Sequence, residues 1–74
     1  MINVAVFLMS ESGDEYLYLY SAKTPEDVLE NLLKDNYEME TLNICNYMVE
    51  SNNKDFNKQV KELISKHLEG ENDE

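Results

Sequence analysis

From Tyr16 to Tyr20 the chain alternates tyrosine and leucine without a break. A period of two belongs to an extended strand, with Leu17 and Leu19 on one side and Tyr16, Tyr18 and Tyr20 on the other. Upstream, Ile2 to Met9 is almost entirely apolar and rich in β-formers such as Ile2, Val4, Val6 and Phe7. That run reads as a strand buried on both faces or nearly so, central in its sheet. Between the two lies Ser10-Glu11-Ser12-Gly13-Asp14-Glu15, turn chemistry in which Gly13 permits a positive φ. The first twenty residues therefore predict an antiparallel hairpin.

Thr24-Pro25-Glu26-Asp27 follows as a helix start: a capping hydroxyl, proline at the first helical position and acids on the positive end of the dipole. The helix is expected to run to about Asn36, with Val28, Leu29, Leu32 and Leu33 as one apolar stripe and Glu26, Glu30 and Lys34 outward. From Glu38 to Glu50 two patterns overlap. Met39, Leu42, Cys45 and Val49 fit helical spacing, whereas Leu42, Ile44 and Met48 fit a strand face. The composition around Thr41, Ile44, Tyr47 and Val49 favours a strand, and a lone two-stranded hairpin is marginal. Asn52 or Asn53 then caps a last helix bearing Phe56, Val60, Leu63, Ile64 and Leu68, which Gly70 ends.

The order ββαβα, with a right-handed crossover through the first helix, gives strand order 2-1-3. The expected fold class is α+β: a two-layer sandwich whose three-stranded antiparallel sheet carries both helices on one face. Residues 1–70 form a single domain and 71–74 a solvated, disordered acidic tail. A chain of 74 residues buries only ~60% of its unfolded surface, and one core of this size rarely supplies more than ~3–5 kcal/mol. Stability is expected to be modest, or aided by self-association.

With two helices on one face, the other face of the sheet is uncovered. If Leu17 and Leu19 join Val4, Val6 and Leu8 against the helices, then Tyr16, Tyr18 and Tyr20 face out beside Ala5, Phe7 and Met9, and Tyr47 joins them from the third strand. An aromatic patch of several hundred Å² is the expected result, of the kind that serves homodimerisation or a foreign protein partner.

Charge narrows the partner. Sixteen acids against six lysines leave −10. A compact chain this long has a radius of gyration near ~11 Å and a diameter of ~29 Å. Ten charges across that span is about one per 3 Å, close to the ~3.4 Å phosphate spacing of a single DNA strand. Such a surface repels nucleic acid and anionic membrane and steers basic surfaces toward itself. The acids cluster as Glu11, Asp14 and Glu15 in the hairpin loop, Glu26, Asp27 and Glu30 on the first helix, and Glu38 with Glu40 entering the third strand. In the last helix Lys54, Lys58, Lys61 and Lys66 nearly balance the acids, so the field is expected on the hairpin and first-helix end.

No motif points to catalysis. His67 is the only histidine and Cys45 the only cysteine, too few for a zinc site. The hairpin loop lacks the ligand spacing of a calcium loop, and two glycines cannot make a phosphate cradle. No enzyme activity, cofactor or metal is expected. A single cysteine excludes an internal disulfide and suits a reducing cytosol, with Cys45 read as a buried structural thiol. The run Val4 to Met9 lacks a basic leader and is too short to span a bilayer, so the expected location is cytoplasmic.

In size, acidity and lack of a catalytic motif the chain resembles the small anti-defence proteins of bacteriophages, such as anti-CRISPR proteins and DNA mimics. The resemblance implies a non-catalytic inhibitor that docks on a basic, nucleic-acid-binding surface of a partner protein and binds no nucleic acid itself. The residues expected to meet that partner are Glu11, Asp14, Glu15, Tyr16, Tyr18, Tyr20, Glu26, Asp27, Glu30, Glu38 and Glu40. The alternative is a small homodimeric scaffold or regulatory subunit with the tyrosine-lined face as its seam.

Overall fold

A computed structural model describes residues 1–70; the expected acidic tail, 71–74, lies outside the described residues. The elements are β1 (Ile2–Ser10), β2 (Glu15–Ala22), α1 (Pro25–Asp35), α2 (Tyr37–Glu40), β3 (Ile44–Glu50) and α3 (Lys54–Glu69). The sheet runs β2-β1-β3, and both neighbours are antiparallel to β1. The expected ββαβα order is present, with the single turn of α2 added. Because β2 and β3 both oppose β1, they run parallel to each other, and α1 is the crossover between them.

Local chemistry sets the boundaries. The Thr24 side chain accepts from the Asp27 amide at 3.2 Å, with Pro25 opening α1. Asn53 accepts from the Phe56 amide at 2.9 Å to start α3, and Gly70, at φ 62°, closes it in the left-handed region. Val4, Val6 and Leu8 point from β1 into a core completed by Val28 and Leu32 of α1, Met39 of α2, Ile44 and Val49 of β3, and Phe56, Val60 and Ile64 of α3.

Three expectations need correction. Residues 38–50 are not one strand: β3 begins only at Ile44. Asn36, buried at 3% exposure, ends α1 and at once caps α2 by accepting from the Met39 amide at 2.9 Å. Leu42 then turns left-handed at φ 63°, so that the Asn43 amide closes on the Glu38 carbonyl at 2.8 Å and the chain reverses into β3.

The tyrosines of β2 are also on the other side from the one expected. Val4, Val6 and Leu8 stand opposite Tyr20, Tyr18 and Tyr16, so valine, leucine and tyrosine share the helix-covered face. Tyr47, opposite Leu8 on β3, joins them and bonds to Ser65 of α3. Leu17 and Leu19 are turned outward. On an edge strand a phenol ring can cover the core while its hydroxyl reaches polar groups at the rim, which leucine cannot do.

Cys45 is exposed rather than buried. The β1–β3 register shifts between Met9 and Ser10, so Ser10 pairs with Ile44 and Met9 with Asn46. The bulge makes Cys45 the extra residue and gives Ile44 the inward place.

Candidate protein-binding surfaces

Two surfaces stand out, an acidic end and an uncovered sheet face. The acidic end forms where the hairpin loop meets α2. Ser10, 1% exposed, closes the loop: its amide donates to the Asp14 carbonyl at 2.8 Å and its hydroxyl accepts from the Asp14 amide at 3.0 Å. Gly13 takes the expected positive φ, 95°. Glu38 ties α2 to this loop, because its carboxylate accepts from the Tyr16 hydroxyl at 2.5 Å, from Asn43 Nδ2 at 3.0 Å and from the Ser12 hydroxyl at 3.3 Å. The Glu11 amide adds a backbone link to the Asn43 carbonyl at 2.9 Å. Glu38, with Glu40 two residues on, is thereby held beside the loop that carries Glu11 and Asp14 and the start of β2 at Glu15.

A ladder of tyrosines braces that end. The rings of Tyr16 and Tyr18 stack with centroids 6.4 Å apart, and those of Tyr18 and Tyr20 5.8 Å apart. Each hydroxyl has a partner at the end of α1 or in α2. Tyr20 donates to Asp35 Oδ2 at 2.9 Å, and Tyr18 donates to the Asp35 carbonyl at 3.3 Å while accepting from Asn36 Nδ2 at 3.0 Å. The Tyr16 hydroxyl, donating to the carboxylate, holds Glu38 below the usual range, with Asn43 and Ser12 assisting and partial desolvation opposing. In return the hydrogen bond to Glu38, with burial and the neighbouring negative charge, pushes Tyr16 up to about 12. Burial first, then Asp35, raises Tyr20 further still.

Of the acids expected to act together, Glu26, Asp27 and Glu30 are not part of this cluster. α1 begins where β2 ends, so its acidic first turn sits at the opposite end of the sheet from the hairpin loop, with Asp27 Oδ2 3.3 Å from the Lys23 amide. Glu26 and Glu30 are exposed on the outer side of α1. His67 links α3 to α2, donating from Nε2 to the Met39 carbonyl at 2.8 Å.

The uncovered face is apolar. Leu17, Phe7 and Met48 form one row across the three strands, and Leu19, Ala5 and Glu50 form the next. Leu17 is 65% exposed, Leu19 76% and Met48 59%. Ala5 and Phe7 face this side as expected, whereas Leu17 and Leu19 take the place expected of the tyrosines. Cross-strand register is the signal that places them. A shallow groove of about 850 Å³ also runs between β3 and α3, past Tyr47, Ser65, Lys58, Lys61 and Lys66. Among the described residues no helix is long and apolar enough to cross a membrane. No family model, curated protein or solved structure matches the chain.

Proposed function

We propose that this chain is a non-catalytic acidic binding protein that docks on a basic, nucleic-acid-binding surface of a partner protein and inhibits it, in the manner of anti-CRISPR proteins and DNA mimics. The observation that supports this reading most is the acidic end. Glu11, Asp14, Glu15, Glu38 and Glu40 come from separated segments, and the fold assembles them through Glu38 and its three hydrogen bonds. Backbone segments fixed beside one another present their acids to a basic groove together, and the net charge of −10 steers the encounter.

The test is competition. The tagged chain is used to capture proteins from a bacterial lysate rich in CRISPR effectors and other DNA-binding proteins, and the bound fraction is challenged with duplex DNA. Capture that duplex DNA displaces, and that a Glu11→Gln, Asp14→Asn, Glu15→Gln, Glu40→Gln variant loses, supports the reading. Capture indifferent to both DNA and charge overturns it.

A further inference from the structure

We propose that the uncovered face of the sheet is a homodimer seam, on which a second copy of this chain packs sheet to sheet through Phe7, Leu17, Leu19 and Met48. The inference is independent of the function proposed above. It starts from an imbalance. In a protein with 30% charged residues, the strands place only two charges on this face, Glu15 beside Met9 and Glu50 beside Ala5. Those two sit at diagonal corners, one on each edge strand, and the row Leu17, Phe7, Met48 crosses between them.

The size of the face also fits a second copy. With three strands ~4.8 Å apart and ~3.3 Å per residue, the face measures roughly 14 Å by 25 Å, about 350 Å² in plan. Stable interfaces start near ~600 Å² of accessible surface per partner, which a plan of this size approaches once side-chain relief is counted. The molecule is flat, 30 × 30 × 19 Å. Two such sheets stack ~10 Å apart at roughly −30°, the ordinary geometry of a β-sandwich.

Charge decides between a second copy and a basic partner. The acids that suit a basic surface lie at the hairpin end and on the outer side of α1, whereas this face offers a basic protein almost nothing to pair with. A second copy matches apolar row to apolar row and leaves Glu15 and Glu50 at the rim. Net repulsion between two chains of −10 then acts around the seam, where salt screens it.

Sedimentation velocity of the full chain, across a micromolar concentration series at low and high salt, is the test. The expected result is a reversible shift from 8.7 kDa to twice that mass, tighter at high salt. Leu17→Ser and Met48→Ser, each of which removes one apolar side chain from both protomers, should weaken it by about 100-fold or more. Both sites are exposed in the protomer, so far-UV circular dichroism should not change; Tyr18→Phe, on the helix side, should leave the association intact. A monomer at every concentration and salt overturns the proposal and leaves the face to a heterologous partner. Association that persists in both serine variants, or that salt weakens, overturns it equally. Neither result bears on whether duplex DNA displaces a captured partner.

Discussion

The Tyr16 hydroxyl donates to Glu38 Oε1 at 2.5 Å, joining the start of β2 to α2 across 22 positions of sequence. Glu38 is the acid whose carboxyl is held low, so the stability it contributes is present above its unfolded pKa, near ~4.3, and is lost as pH falls through the lower folded value. Tyr16→Phe should move the Glu38 titration up toward ~4.3, read by carboxyl carbon NMR. An unchanged Glu38 midpoint in that variant would refute the assigned cause.

At the alkaline end the signs reverse. Tyr16 and Tyr20 have folded pKa values raised above the unfolded ~10, so their contribution is complete below pH ~10 and declines as pH climbs through about 12 for Tyr16. Tyrosinate absorbance should show these two of the five tyrosines ionising together with loss of far-UV structure. Full ionisation of all five with the fold intact is the contrary result.

Asn36 is the polar group whose loss should be felt most. It ends α1, caps α2 and donates to Tyr18, all from a site 3% exposed. Asn36→Ala should destabilise by about 1–3 kcal/mol in a denaturant titration, since it leaves the Met39 amide unpaired in the interior.

Leu8 of β1 and Leu17 of β2 are one step of register apart in the hairpin and on opposite faces of it. Leu8 is fully buried, and Leu8→Ala should lower stability by ~2–5 kcal/mol, a large part of what a core this small supplies. Leu17→Ala, measured at concentrations where the chain is monomeric, should stay within ~0.5 kcal/mol of the parent. Equal losses would place Leu17 inside the protomer.

Self-repulsion at −10 predicts that added salt raises Tm, steeply at first and then less as the Debye length drops from ~10 Å at 0.1 M to ~3 Å at 1 M. A Tm that is flat or falls with salt contradicts a concentrated acidic end.

Much of this was legible in the residues. The Tyr-Leu alternation, the Thr24-Pro25 start, the Asn53 cap, the Gly70 stop and the strand order all follow from local rules. The side taken by the tyrosines was not, because it depends on a parity that hydrophobicity does not carry. Five residues, Ser10 to Asp14, separate the paired Met9 and Glu15, so even-numbered positions face even-numbered ones. A loop of even length would have put Leu17 and Leu19 with the valines instead. Cys45 escaped for a related reason, since a bulge moves one residue off the alternation without leaving a mark in composition. The acids were visible as clusters. Only tertiary contacts such as Tyr16–Glu38 and Ser12–Glu38 show that the hairpin and α2 groups converge, and only the length of β2 shows that Glu26 and Asp27 lie apart from them.

The central place of β1 also orders events in time. Phe7 meets Leu17 ten positions away, but meets Met48 only after 41. Closing the longer loop costs about 1 kcal/mol more in chain entropy, so the hairpin can form early while β3 must wait for α1 to fold back over it. The strand that arrives last is a bulged edge held by one neighbour. Its amides should be the first in the sheet to exchange with solvent, and a seam through Met48 would slow them.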